Sequence, residues 1–152
     1  MQTPFDRTRP SRPKRPEPRT TSRISVPVER AIDHCRVVTD GRRRPGEYTL
    51  SSALAEVREA DNGFVWLGLC EPDETQMAKV AAEFGIHDLI VEDAVTAHQR
   101  PKVERYDDQL FLVVRSVRYD AEASEQNSRE IISTGEVQML VGPDLIITIR
   151  HG

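Results

Sequence analysis

The sequence predicts an α/β domain, in which helices cover a mixed β-sheet, preceded by a disordered N-terminal tail. Apolar runs of strand length occur at Phe64–Cys70 and Leu110–Val114, and segments with helical spacing of apolar residues lie between them. Two further apolar runs, Val137–Val141 and Leu145–Ile149, flank Gly142-Pro-Asp144 and predict a hairpin. Helices between apolar strands, followed by a hairpin, are typical of a mixed sheet covered by helices.

Residues 1–30 are assigned to the tail because they contain six prolines and eight basic residues against three acidic ones, with no periodicity of 2 or 3.6. Such a basic, proline-rich segment either solubilises the chain or contacts an anionic lipid surface. The folded domain is therefore predicted to occupy residues 31–152.

The predicted domain is acidic. Residues 31–152 hold the other 13 basic and 22 acidic residues, a net charge of −9. This balance argues against nucleic acid as a partner, which requires a positive surface, and suits a cation. Cys35 and Cys70 have no metal-site spacing and are expected to be buried small hydrophobes in a reducing cytosolic setting. No apolar stretch approaches the ~20 residues of a membrane helix.

The first half of the domain predicts strand, helix and strand. Ala31–Val38 alternates as a strand and leads into a basic turn, Asp40–Gly46. Ser51 or Ser52 is expected to cap a helix that runs to about Ala60 and ends at Asn62-Gly63. The continuous apolar character of Phe64–Cys70 predicts a strand covered on both faces.

The next helix has the clearest pattern in the chain. Asp73 is the predicted N-cap, with Gln76 three residues later as its capping-box partner. Gly85 is the predicted end of the helix. The residues expected to face the core follow i, i+3, i+4, i+7 spacing: Met77, Val80, Ala81 and Phe84.

A second amphipathic helix is predicted from Leu89 to Ala97, stopped near Arg100-Pro101. Tyr106-Asp-Asp108 then leads into the buried strand at Leu110, and Asp120–Arg129 is a polar loop. At 100° per residue the helix has one apolar arc, Ile90, Val91, Ala94 and Val95, which is expected to face the core. The opposite arc is acidic with one leucine: Leu89, Glu92, Asp93 and Thr96.

Glu92 and Asp93 are the candidate metal ligands. As helix neighbours their side chains diverge by about 100°, so each would offer an oxygen to a different ion, with other ligands supplied from elsewhere. That arrangement suits Mg²⁺, which keeps most of its waters and takes one or two carboxylates. Two solvated acids on a polar helix face are the alternative interpretation. His87 and His98 lie roughly 16 Å apart along the helix, too far to share a zinc ion.

The sequence offers no positive case for an enzyme, because it lacks the nucleophile-elbow, dinucleotide and phosphate-loop motifs. Asp107-Asp108 form either an acid pair for general catalysis or, as we expect, a solvated turn. Arg42–Arg44 form either an anion site or a solvated hairpin or loop, and we expect the hairpin or loop.

The stretch Phe84-Gly-Ile-His87, Leu89-Ile-Val-Glu-Asp93 and His98-Gln-Arg-Pro-Lys-Val-Glu104, followed by Tyr106-Asp-Asp108, closely resembles the cytosolic N-terminal domain of CorA-type magnesium and cobalt transporters. The resemblance extends in element order over roughly residues 30–152. It implies a homopentameric channel whose cytosolic domains lie at the cytoplasmic face of the cell membrane and sense Mg²⁺, with Co²⁺ as a second possible ion. It further implies that Glu92 and Asp93 hold divalent cations between copies of the chain, and that bound metal favours the closed state.

The chain departs from the family pattern because it ends at Gly152 without the stalk helix, the membrane helices or the Gly-Met-Asn signature. The chain is either a fragment of a longer transporter or a truncated relative that keeps only part of the sensor, and we expect the fragment; as it stands it cannot conduct ions. Leu89, on the acidic arc, is expected either to contact another protomer or to pack under a loop of its own chain. The alternative function is a soluble binding or regulatory module with the same fold and no transport role.

Overall fold

The computed structural model describes residues 26–119 and 132–151. Its three α-helices are α1 (Leu50–Glu59), α2 (Glu74–Phe84) and α3 (Asp88–Ala94), and a 3₁₀ helix spans Val28–Ala31. Its seven strands are β1 (Ile32–Thr39), β2 (Arg42–Arg43), β3 (Gly63–Cys70), β4 (Lys102–Tyr106), β5 (Gln109–Tyr119), β6 (Ile132–Val141) and β7 (Leu145–His151). The α/β class is confirmed.

All seven strands form one mixed sheet in the order β2-β1-β3-β7-β6-β5-β4. Every neighbouring pair is antiparallel except β3 and β7, which run parallel from Val65 opposite Leu145 to Cys70 opposite Arg150. The predicted hairpin of β6 and β7 is present, closed by the Gly142 amide, which donates to the Leu145 carbonyl at 2.9 Å. The last strand of the chain therefore lies in the middle of the sheet.

The core lies between the helices and one face of the sheet. Alternate residues of the central strands are fully buried there, including Leu67, Phe111 and Ile147, together with Met77 of α2 and Ile90 of α3. The opposite face of the sheet carries Trp66 on β3, which is 41 % exposed. Phe64–Cys70 was expected to be covered on both faces, and this is wrong for the described residues, because their helices cover only one.

The first two α-helices begin with capping boxes. Thr49 caps α1, accepting from the Ser52 amide, so the predicted cap at Ser51 or Ser52 is wrong, although the Ser52 hydroxyl in turn accepts a hydrogen bond from the Thr49 amide. The predicted capping box of α2 is confirmed: Asp73 accepts from the Gln76 amide at 2.8 Å, and Gln76 accepts from the Asp73 amide at 2.9 Å. Gly85 ends α2 with φ 66°, a left-handed conformation that suits glycine.

Four details of the fold refine or extend the expectations. The 3₁₀ helix Val28–Ala31 crosses the predicted boundary between tail and domain at residue 30, and its Val28 and Ala31 are buried. The solvated hairpin or loop predicted for the basic turn is a hairpin, because the exposed strand Arg42–Arg43 pairs antiparallel with β1. The strand β4 was not predicted at all. Cys35 and Cys70 are only half-buried free thiols.

Two other expectations lie outside the described residues: the disorder of residues 1–25 and the loop Asp120–Arg129. Within the described residues, no helix combines the length and the apolar character needed to cross a membrane.

Candidate functional site

The acidic helix α3 is joined to α2 by a short link that Gln109 of β5 holds in place. The Gln109 side chain is buried and uses both ends of its amide: its nitrogen donates to the Gly85 carbonyl at 2.8 Å, and its oxygen accepts from the His87 amide at 3.1 Å. Because one rigid side chain contacts both residues, the direction in which α3 leaves the link is fixed against the sheet.

The N-terminus of α3 is capped by a histidine. The Nδ1 atom of His87 accepts from the Leu89 amide at 3.2 Å, which satisfies one of the free amides of the first turn. The same imidazole stacks on the Tyr106 ring of β4, with centroids 5.1 Å apart. His87 thus connects the start of α3 to the edge of the sheet.

The C-terminus of α3 is held by side chains that are distant in sequence. Gln99 donates to the carbonyls of Asp93 and Thr96, and Gln138, which is fully buried on β6, donates to the Thr96 carbonyl at 2.9 Å. The His151 ring contacts the Ala94 carbonyl at 3.1 Å. These partners take carbonyls that a longer helix would use internally, so α3 ends at Ala94 and not at the predicted Ala97.

Glu92 lies on the exposed side of α3, as predicted. It lines an open groove of about 470 Å³, together with two other exposed acids: Glu74, the first residue of α2, and Asp88, the first residue of α3. Val91, Val95 and Thr96 form the rest of the lining. The groove therefore concentrates negative charge beside an otherwise apolar floor.

Asp93 points away from that groove, towards the sheet. Its Oδ2 atom lies 2.7 Å from the Nζ atom of Lys102, and the same Nζ lies 2.8 Å from Oε2 of Glu104. The Tyr106 hydroxyl donates to Glu104 at 3.0 Å. Lys102 Nζ also lies 5.7 Å from the centroid of the Phe111 ring, a cation–π contact. One ammonium thus serves two carboxylates from two elements.

The pKa values of this network follow its geometry. Burial lowers the pKa of Lys102, but its hydrogen bonds and charge interactions with Asp93 and Glu104 outweigh burial and raise the pKa above its ordinary value. The pKa of Glu104 is lowered, first by its hydrogen bond from Lys102 and then by that from Tyr106. Burial and the bond to Glu104 raise the pKa of Tyr106. The pKa shifts of Lys102 and Glu104 favour the charged forms of both side chains at neutral pH, and that of Tyr106 keeps its hydroxyl protonated as the donor to Glu104.

The two candidate ligands are therefore adjacent in sequence but directed to different surroundings, as the helical geometry predicted. Glu92 is exposed on an acidic groove, whereas Asp93 is already paired with an internal cation. In the described part of the chain, no three His, Cys, Asp or Glu side chains lie close enough to hold a bare metal ion. The carboxylates fit a hydrated ion, which needs few direct protein ligands.

The other candidate residues lie elsewhere. Leu89 is 51 % exposed, so the described residues do not bury it under a loop. Asp107 and Asp108 form the two-residue turn between β4 and β5, as expected, with Asp107 at φ 53°.

The arginines of the basic loop do not converge on one point. Arg42 and Arg43 are successive strand residues, so their side chains point to opposite faces. Arg44 forms a loose ion pair with Glu56 at 4.0 Å. The arrangement gives no support to an anion site built from all three arginines.

Sequence reasoning missed the residues that support α3: Gln109, Gln138, Gln99, His151 and Lys102. A signal existed for one of them, because Gln138 is a polar residue at a buried position of an alternating strand, and such residues need a hydrogen-bonding partner. Lys102 offered no such signal, because neither face of β4 is apolar: Lys102, Glu104 and Tyr106 share one face, and Val103 and Arg105 share the other.

A family described as CorA-like Mg2+ transporter protein matches residues 61–152, which include β3, all of α2 and α3, and the sheet from β4 to β7. The chain is 34% identical over 67 residues to the cobalt/magnesium transport protein CorA of Thermotoga maritima, covering 43% of this chain and 19% of that protein. It is 26% identical over 97 residues to the putative metal ion transporter YfjQ of Bacillus subtilis, covering 64% of this chain and 27% of that protein. The chain thus spans about a fifth to a quarter of these relatives.

Solved structures share the fold. The full-length CmaX protein superimposes with a TM-score of 0.61 at 14% identity, covering 81% of this chain and 36% of that one. The soluble domain of CorA from Methanocaldococcus jannaschii gives a TM-score of 0.50 at 13% identity, with 78% and 41% covered. Because the family match extends over more than half of the sequence, this chain belongs to the CorA-like Mg²⁺ transporter family.

Proposed function

We propose that this chain is the cytosolic regulatory domain of a CorA-type Mg²⁺ or Co²⁺ transport protein, and that it senses divalent cations through Glu92 and Asp93. The observation that carries the proposal is the placement of Glu92, which is exposed on an acidic groove that Glu74 and Asp88 also line. Glu92 belongs to α3, and hydrogen bonds from other elements hold both ends of that helix. The family supports the transport setting.

The groove suits a hydrated cation electrostatically. Two carboxylates ~5 Å apart at an effective dielectric near 20 repel each other by roughly 3 kcal/mol, and a divalent ion between them replaces that repulsion with attraction. A groove of about 470 Å³ has room for an ion that keeps its water shell. Outer-sphere binding of this kind does not require three protein ligands at one point.

The remaining ligands would come from a second copy of the chain. Leu89 is 51 % exposed on the same side of α3 as the acids, and it would form an apolar contact beside the ion. In a homopentamer, bound metal would favour the closed assembly and its loss would let the protomers separate. Moving the ratio of closed to separated assemblies from 1:99 to 99:1 needs about 5.5 kcal/mol of differential binding free energy, or only about 1.1 kcal/mol for each of five interfaces.

Ion conduction itself would require segments beyond those described here, on the membrane side of the complete transporter. In this proposal the described residues supply the sensing part. Its surroundings would be the cytoplasmic face of the cell membrane. Divalent cations and other copies of the chain are the proposed partners.

The test is a titration of the ¹⁵N-labelled chain with MgCl₂, followed by amide NMR shifts, with KCl at matched ionic strength as the screening control. Saturable shifts are expected in α3 and at the start of α2 with Mg²⁺ but not with K⁺. Glu92→Gln should weaken binding, and Glu83→Gln, an exposed acid at the far end of α2, should not. Equal shifts with both salts would contradict the proposal.

A second test uses the complete transporter. Asp93→Ala should weaken the protection from proteolysis that Mg²⁺ gives the cytosolic domain. Unchanged protection across the titration would remove Asp93 from the sensor. Mg²⁺ binding to the chain without any metal-dependent change in the full-length protein would instead favour a binding module with no transport role.

A further inference from the structure

Lys102 is an internal cation at the candidate metal site. Its ammonium lies 2.7 Å from Asp93 and 2.8 Å from Glu104, distances typical of charge-assisted hydrogen bonds. The Lys102 side chain is only 27 % exposed, and the Phe111 ring lies beneath its ammonium. Any divalent ion that approaches Asp93 meets a carboxylate whose charge is already partly neutralised.

The two bonds of this ammonium differ in kind. Lys102, Glu104 and Tyr106 alternate along β4, so their side chains share one face of a single strand, and Tyr106 holds Glu104 by a hydrogen bond of 3.0 Å. Asp93, in contrast, belongs to α3. The Lys102–Glu104 pair is therefore internal to β4, whereas the Lys102–Asp93 pair joins the strand to the helix.

We propose that Lys102 is a tethered competitor of the divalent cation for Asp93, and that Glu104 retains the ammonium when the cation binds. The inference rests on the proposed sensing function and adds the residue that sets its threshold. Loss of the Asp93 contact does not leave Lys102 as an unpaired, partly buried charge, because Glu104 stays within hydrogen-bond distance. The exchange is thus less costly than the rupture of an isolated ion pair.

The proposal predicts opposite effects for the two partners. Lys102→Met removes the competitor while keeping the aliphatic stem, and should tighten Mg²⁺ binding by about threefold to tenfold, the size of a partly exposed charge-assisted bond. Glu104→Gln removes the charge that retains the ammonium, so Lys102 stays on Asp93 and binding should weaken by about the same factor. A general loss of folding would weaken binding in both variants.

The double variant, Lys102→Met with Glu104→Gln, distinguishes retention of Lys102 by Glu104 from direct contact between Glu104 and the ion. If Glu104 acts only by retaining Lys102, then Glu104→Gln should have no effect on Mg²⁺ affinity in the Lys102→Met background. If Glu104 contacts the ion itself, the substitution should weaken binding in both backgrounds, which would overturn the proposal. Thermal unfolding of each variant, followed by circular dichroism, identifies any that fail to fold.

The experiment is an NMR titration of the 152-residue chain with MgCl₂, with the ¹³Cε shift of Lys102 recorded beside the α3 amides. In the wild type the Lys102 signal should move together with the α3 amides, and Glu83→Gln should behave like the wild type. If Mg²⁺ binds with dependence on Asp93 but Lys102→Met leaves the affinity unchanged, this inference fails while the proposed function stands. If neither Glu92→Gln nor Asp93→Asn alters the Mg²⁺ response, both fail together.

Discussion

Gln109 provides the sharpest test of how the acidic helix is held. The Gln109→Leu substitution keeps the approximate volume of the side chain but removes the bonds to the Gly85 carbonyl and the His87 amide. Each bond lost at a partly buried backbone group costs about 1–3 kcal/mol, and the added apolar burial offsets part of that. We expect a net destabilisation of about 2 kcal/mol, a sizeable share of the 5–15 kcal/mol typical of a small domain.

Urea denaturation, followed by circular dichroism and by the fluorescence of the single tryptophan, measures the global effect. Hydrogen exchange of the His87 amide measures the local one, because that amide loses its acceptor. Gln109→Glu is the matched control: its carboxylate still accepts from His87 but cannot donate to Gly85, so the His87 amide should stay protected while part of the stability is lost. If the free energy of unfolding of Gln109→Leu lies within 0.5 kcal/mol of the wild-type value, and hydrogen exchange of the His87 amide is unchanged, then Gln109 does not hold the link between α2 and α3.

Two further predictions concern the sheet. A Cβ at Gly68 would lie 2.5 Å from Nδ1 of His34 on the neighbouring strand, so Gly68→Ala should lower the free energy of unfolding by about 1–3 kcal/mol. In urea denaturation this loss of stability should largely vanish when His34→Ala is added. A loss that persists in the double variant would show that the contact with His34 is not the cause. The lowered pKa of Glu104 means that its pairing with Lys102 contributes stability above the ordinary carboxyl pKa of 4.5, and loses it as the pH falls through the lower folded value. The stability difference between wild type and Glu104→Gln should therefore be largest near neutral pH and shrink in acid; a difference independent of pH would contradict the shift.

The extent to which the sequence predicted the structure depends on how local each determinant is. The capping box at Asp73 and the left-handed Gly85 lie within a few residues of the helix they delimit, and both were predicted correctly. The end of α3 was placed three residues too late because the Ala94 carbonyl is bound by His151 and the Thr96 carbonyl by Gln138, and both partners are more than forty residues away. No local pattern contains that information.

In the candidate site, too, the local features were predictable from the sequence and the contacts between distant residues were not. That Glu92 and Asp93 diverge follows from helix geometry and was predictable. Asp93 was expected on an outward acidic face, and its pairing with Lys102 corrects that picture, because the pairing depends on β4, a strand without an apolar face. Likewise, the apolar run Phe64–Cys70 indicated a strand correctly but did not indicate which face the helices would leave open.

The position of β7 has a consequence for the order of folding. Among the described strands, the two sides of the sheet, β1 to β3 and β4 to β6, are joined by hydrogen bonds only through this strand, which lies between β3 and β6. During synthesis the two halves cannot pair into one sheet until Leu145–His151 has left the ribosome, so these strand pairings of large sequence separation form last, and their loop-closure entropy slows the final step. A nascent chain halted at Val141 would hold two unjoined β-sheets, each with one central edge unpaired and open to pairing with other chains.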